Sequence, residues 1–261
     1  MVIKVLDEVF IRLVDSMGTD ASLVPSALVS SFPFPPPFPS SLPFLLSLLL
    51  PPPPSPFEMC SVKFHVKMPI FVARQWVRHR TAKINEYSGR YSEMPELFFN
   101  PTEFRVQSKT NKQGSKKETI KHEIQSYDKS FTEYRTLLNK GVAREMARIT
   151  LPLATYTEWY WKNDLNNIFK FLKLRMDAHS QKEIRVYADA MATIIQSIYP
   201  VAYEAFVDYQ LEAMSFSKQE LILLSYMMNG KELSKEDYKI LGKREQNEFK
   251  IKLKKINARI S

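Results

Sequence analysis

The chain has almost nothing in it that braces a protein covalently or through metal. Cys60 is the single cysteine, so no disulfide can form within the chain, and a reducing compartment, the cytoplasm, is the expected setting. Four histidines stand at no spacing that makes a ligand set, so no metal site is expected. The longest apolar-looking run, 42–50, is broken by Pro43 and falls far short of the roughly 20 residues that a membrane-spanning helix needs. Residues 1–8 alternate charged and apolar side chains and lack the apolar centre of a secretory signal. No internal repeat occurs. The chain reads as soluble, with no membrane partner.

What is present suits one large domain with an extension: 261 residues, of which 44% are hydrophobic and 12% aromatic, enough for a real core. The net charge of +9 favours anionic partners, which leaves nucleic acid and phosphorylated small molecules both open.

Residues 30–57 use only Phe, Pro, Ser and Leu and hold eleven of the seventeen prolines. Proline denies helix and central strand, so this stretch is expected to be irregular or extended. Beyond it, Val62, Phe64, Val66 and Met68 alternate with Lys63, His65 and Lys67, the pattern of a half-buried strand. Pro69 can open a helix over 70–80, and 85–91 reads as loop or short strand. Ile120, Ile124, Tyr127, Phe131, Tyr134 and Leu138 step by four and three, which predicts one helix closed by Gly141. A short helix over 142–149 and a strand over 150–161 follow, with Pro152 arguing for an edge position or a late start. Asp164 can cap a helix with Leu165, Ile168, Phe169 and Leu172 inward, and 180–199 reads as another helix. Ser217 and Glu220 make a capping box, Gly230 ends that helix, and a charged, exposed helical tail is expected from 231 on.

The chemistry gathers early. Arg74 and Arg78 share a helix face, with Gln75, His79 and Arg80 beside them. A solvated basic face is the first explanation of them from composition alone, and a nucleic-acid helix the next. Asn85, Glu86, Tyr87, Ser88, Gly89 and Arg90 then put an acid, two hydroxyls, an amide and a cation in six residues. That mixture suits one small polar anion better than a polyanion, which has no use for Glu86.

Arg78-His79-Arg80, seven residues, then Ser88 resembles the signature of flavin-dependent thymidylate synthases, and the string RQWVRHRTAKINEYSGRY over 74–91 is similar to that family nearly throughout. Pro56-Phe57-Glu58, Ala143-Arg144-Glu145, Ala147-Arg148, Tyr156-Thr157-Glu158, Leu174-Arg175, Asp177, Gln181 and Glu183 match in the same order. The likeness runs from about 3 to about 209, apart from the low-complexity insert and 95–118. It implies an α+β fold, an antiparallel sheet flanked by helices, as a single catalytic domain over 1–216 and a helical extension over 217–261. It also implies conversion of dUMP to dTMP with methylenetetrahydrofolate as carbon donor and NADPH-reduced FAD as hydride donor, in a homotetramer with no nucleic-acid partner.

By position, the resemblance assigns dUMP to Gln75, Trp76, Val77, Arg78, Glu86, Tyr87, Ser88, Gly89, Arg90 and Arg148, with Arg90 and Arg148 on its phosphate. Arg175 would stabilise the uracil ionised at N3, and with Ser88 forms the catalytic set. FAD falls to Ser55, Arg78, His79, Arg80, Asn85, Glu86, Asp164, Asn166 and Lys170, although Asp164, Asn166 and Lys170 depart from the commonest family residues. Ion pairing with Asp177 or Glu183 is the other reading of Arg175, and Cys60 as nucleophile is a rival chemistry. The insert takes the place of charged, imidazole-bearing text that helps to hold the flavin in the family. It makes weak FAD binding the expectation for this chain, and a catalytically impaired relative or a basic nucleic-acid-binding protein the alternatives.

Overall fold

The computed structural model describes residues 1–6, 9–29, 55–109 and 114–260. The chain divides into two compact units, Met1–Leu211 and Glu212–Ser261.

In the first unit the central strand is β3, Ser61–Pro69. Its alternation behaves as the sequence predicts: Val62, Phe64, Val66 and Met68 have no accessible surface, because every second side chain of a strand points to the same face. It runs antiparallel between β2 (Val9–Met17) and β7 (Tyr156–Asp164). Outside these lie β1 (Val2–Val5) and β4 (Lys83–Glu86), giving the order β1-β2-β3-β7-β4. The register sets Phe64 opposite Trp161 and Val66 opposite Trp159, so large apolar side chains from adjacent strands build one face together.

That face is covered by α3 (Ile70–Trp76), α6 (Leu165–Arg175) and α7 (Lys182–Ile198). Trp76 sits among the rings of Trp159 and Trp161, each at 5.8 Å, Phe171 at 4.7 Å and Tyr187 at 5.9 Å. The Asp164 carboxylate accepts from Asn167 N at 2.8 Å, the expected cap of α6. Leu165, Ile168, Phe169 and Leu172 are buried as their spacing requires. An antiparallel sheet flanked by helices is therefore the fold, as the resemblance implied.

Four elements differ from expectation, each for a local reason. Helix α3 stops at Trp76 instead of continuing to Arg80. A longer helix would give the Gln75 carbonyl to His79 N; here Arg175 Nη2 takes that carbonyl at 2.8 Å, and His79 N turns to Trp76 O at 3.0 Å. The long helix over 120–138 is instead a strand, β6 (Ser115–Lys121), followed by α4 (Tyr127–Asn139). Ile120 pairs with Phe104 of β5 (Glu103–Gln107) and is 58% exposed, so its spacing to Tyr127 is coincidental. Gly141 closes α4 at φ +81°, where a side chain would be strained. The strand over 150–161 begins late, at Tyr156, and lies between β3 and β4 as an inner strand: Pro152 precedes the ladder and only its carbonyl is used, by Thr155 N at 3.0 Å. Residues 55–57, the end of the low-complexity stretch, form the first turn of α2 (Ser55–Glu58), held by Phe57 against Phe169. The rest of that stretch, 30–54, lies outside the described residues, and so does the expectation made for it.

The second unit opens on α9 (Lys218–Met228), which follows α1 (Asp20–Leu28), α5 (Arg144–Ala147) and α8 (Pro200–Phe206) of the first. Its capping box is present: Ser217 N donates to Glu220 Oε2 at 2.7 Å and Glu220 N to Ser217 Oγ at 3.3 Å. The tail is less exposed than its composition suggests. Helix α10 (Lys243–Ile260) brings Phe249 against Leu223 and Leu241, all buried, and Lys252 Nζ reaches Glu220 at 2.7 Å. Among the described residues no helix is long and apolar enough to cross a membrane.

Candidate active site

Two groups of polar side chains border the aromatic core. The first joins the end of α3 to the end of α6. Arg175, on the last turn of α6, donates through Nε to His79 Nε2 at 3.1 Å and through Nη2 to the Gln75 carbonyl. Accepting at Nε2 requires a neutral imidazole with its proton on Nδ1. The surroundings enforce that form: burial, and then the Arg175 charge, lower the His79 pKa to about 4. Burial also pulls Arg175 below the usual guanidinium value. The side chain of Gln75 donates to Gln181 Oε1 at 2.5 Å. Arg175 forms neither of the ion pairs its neighbours in sequence suggested. Asp177 accepts from His179 N at 2.7 Å and meets its Nδ1 at 2.8 Å, while Glu183 is held by Arg105 at 2.7 Å.

The second group hangs from the edge strand β4. Glu86 pairs with Trp159, and Thr157 Oγ1 donates to Glu86 Oε1 at 2.6 Å. Tyr87 N continues the ladder to Glu158 O at 2.8 Å, and Tyr87 OH reaches Glu93 O at 2.6 Å. The chain then folds back on Ser88, whose carbonyl takes Tyr91 N and Ser92 N at 3.1 Å each and whose Oγ accepts from Arg90 N at 3.3 Å. A side chain at Gly89 would stand 2.9 Å from Met94 Sδ and 3.4 Å from Arg148 Cδ. The stem of Arg148 therefore passes over the loop. Arg90 pairs with Glu145 at 3.3 Å, both side chains about half exposed at 56% and 53%, a pairing worth little in water.

Among the described residues the side chains of Arg74, Arg78, Arg80 and Arg148 have neither a carboxylate nor a hydrogen-bond partner. Trp76, in contrast, has its indole wholly in the core, while Val77 is 39% exposed. Of the remaining assigned positions, Asn85 lies on β4 opposite Tyr160. Asn166 donates to Glu58 Oε1 at 3.2 Å, Asp164 is engaged in capping, and Ser55 and Lys170 are exposed. No hydrogen bond or ion pair joins the Arg175 group to the Glu86 group among the described residues.

Thr157 and Gln181 complete these groups although sequence reasoning assigned them no role. They lie 71 and 106 residues from the side chains they hold, and no local spacing signals such pairs. Cys60 is fully buried, and burial, then Asp20, raise its pKa to about 11. Its thiolate is disfavoured there, as for a core thiol. Ser88 Oγ has no histidine base among the described residues. No three His, Cys, Asp or Glu side chains converge there as a metal site either.

Residues 44–201 match the family described as "Thymidylate synthase complementing protein". The flavin-dependent thymidylate synthase of Ehrlichia ruminantium (strain Gardel) is 45% identical over 257 residues, covering 94% of this chain and 86% of the relative. That of Thermus thermophilus is 48% identical over 226 residues, covering 85% and 84%. Among solved structures, the UMP/dUMP methylase PolB from Streptomyces cacaoi bound with 5-Br UMP superposes with a TM-score of 0.68 at 30% identity, over 79% of this chain and 97% of that one. Likeness of this extent in sequence and in fold makes the chain a member of the flavin-dependent thymidylate synthase family.

Proposed function

We propose that the protein converts dUMP to dTMP, taking the carbon from methylenetetrahydrofolate and the hydride from FAD reduced by NADPH. The observation that carries this reading is Arg148, without a side-chain partner, passing over the loop of Glu86, Ser88 and Gly89, while the side chains of Arg74, Arg78 and Arg80 are likewise left unpaired among the described residues. Cations left unpaired by the fold suit phosphate-bearing ligands. Both dUMP and FAD carry phosphate, so the donor set fits them.

Arg148, together with Arg90 once it exchanges Glu145 for the ligand, holds the dUMP phosphate. Glu86, fixed by Thr157, and Ser88 orient the nucleoside, with Gln75, Trp76, Val77, Arg78, Tyr87 and Gly89 contributing backbone or side chain. Arg175 stabilises negative charge on the uracil ring, its guanidinium aimed by the neutral His79 and the Gln75 carbonyl. Arg78, His79, Arg80, Asn85, Glu86, Ser55, Asp164, Asn166 and Lys170 would hold FAD, which supplies the redox chemistry when bound. As the family resemblance implies, the copies assemble as a homotetramer with sites at the subunit contacts. The single cysteine supports a cytoplasmic setting.

The test is the absorbance spectrum of the purified protein with added FAD, followed by dUMP-dependent formation of dTMP from methylenetetrahydrofolate and NADPH. Because the insert replaces flavin-holding text, flavin absorbance is expected only with excess FAD, with dTMP formed at a low rate. Absence of both, with tight binding of nucleic acid instead, would overturn the reading.

A further inference from the structure

A second site lies in the first unit, in the stretch 95–118 where family likeness is weak. The hairpin of β5 and β6 stands against the start of α7, tied there by the Arg105–Glu183 ion pair at 2.7 Å, with Glu183 only 6% exposed. Beneath the hairpin is a cavity of about 1170 Å³, somewhat beyond the roughly 300–1,000 Å³ usual for small-molecule sites.

Its lining has two characters. Phe71, Phe99, Phe104 and Tyr127 supply aromatic surface, Phe71 and Phe99 with centroids 5.7 Å apart. Lys116, Lys117, Lys182 and Arg185 supply positive charge. Against them stand Glu103 and Glu183, and Glu183 is already neutralised by Arg105. Lys117 and Lys182 have no ion-pair partner among the described residues. The cavity also touches the candidate active site: Gln181 lines it and accepts from Gln75, whose carbonyl holds Arg175.

A flat ring followed by several spaced anions fits such a lining. Phosphate forks are less well served: Arg105 is committed to Glu183, and Arg185 Nη1 to the Ala178 carbonyl at 3.1 Å. Lysines strung along a strand and a helix start act as separate point charges, which suits carboxylates spaced along a chain. Resting on the function proposed above, we propose that this cavity receives the p-aminobenzoyl-glutamate tail of the folate co-substrate, its ring on the phenylalanine side and its carboxylates on Lys116, Lys117 and Lys182. The cavity thereby selects for oligoglutamylated over monoglutamylated carbon donor.

The test uses the full chain and p-aminobenzoyl-tetraglutamate as probe, by titration calorimetry at low salt. Saturable binding is expected, weakened about tenfold or more in Lys116→Ala/Lys117→Ala and in the same direction by Lys182→Ala on the other wall. In turnover, the double variant should raise KM severalfold more for the tetraglutamyl donor than for the monoglutamyl donor, and leave KM for NADPH unchanged. No saturable binding, equal affinity in parent and variants, or a rise in the NADPH KM would overturn the proposal, the last by giving the cavity to the nicotinamide nucleotide. Because the calorimetry needs neither flavin nor turnover, loss of the cavity reading and loss of the enzymatic reading are separate results.

Discussion

Trp76 and Arg78 are two residues apart and belong to opposite kinds of structure. Trp76 has no accessible surface and touches four rings, whereas Arg78 is exposed and its side chain makes no hydrogen bond or ion pair to any described residue. The aromatic cluster spends its side chains on one another, and this is where the folding free energy is concentrated. The arginines and the Ser88 loop add little to stability and stay available to ligands. Substitutions in the two regions should therefore separate cleanly, stability falling in one and affinity in the other.

The largest effect is expected from Trp161→Ala. It should cost about 3–5 kcal/mol through a cavity in the centre of the sheet, a fall of roughly 6–20 °C in a thermal melt for a domain of this size. The fraction that stays folded should bind dUMP as before; a selective loss of dUMP affinity with an unchanged melt would erase the contrast.

Next come Arg148→Ala and Arg78→Ala. Neither side chain leaves a protein partner behind, so melting should shift little. Loss of a charge-assisted bond worth about 1.5–3 kcal/mol should weaken dUMP or FAD binding by roughly 10- to 150-fold. Equilibrium binding beside the melt decides it, and a collapsed fold with normal affinity would move these arginines into the structural class.

A third expectation concerns pH. The His79 pKa is depressed from its ordinary 6.5 to about 4. Between those values the unfolded chain binds more protons than the folded one, so stability falls as pH drops below 6.5 and this contribution is fully lost below about 4. Denaturant midpoints at pH 7.5 and 5 should diverge less in His79→Gln than in the parent. Identical pH dependence in both would remove His79 as the titrating group.

Smaller changes follow at single side chains. Ser88→Ala should slow turnover without abolishing it, and trapping of a covalent dUMP adduct on Ser88 would count against its positioning role. Cys60→Ala should lose on the order of 1 kcal/mol of stability and keep most activity. Complete inactivity in a well-folded variant would restore the thiol as a nucleophile.

Much of this was written locally. Alternation over 62–68, the Asp164 cap and the Ser217–Glu220 box depend on neighbours a few residues away, and period and capping are local properties of the backbone. The arginine loop was legible for the same reason, since its acid, hydroxyls and glycine are contiguous. Where distant segments compete, the local pattern misled. Ile120 kept helical spacing and went into a hairpin with Phe104, and Gln75 lost its place in a longer helix when Arg175, 100 residues away, took its carbonyl.

The sequence by itself determined strand β3, the helices capped by Asp164 and Ser217, the apolar face of the sheet and which polar residues cluster along the chain. Only the tertiary structure decided that His79 is neutral, that Glu86 is held by Thr157, that Arg175 avoids both carboxylates nearest in sequence, and that a lysine-lined cavity opens beside Gln181. Protonation, ion pairing and enclosure depend on burial and on which groups lie within a few ångströms, and chain spacing does not encode those distances.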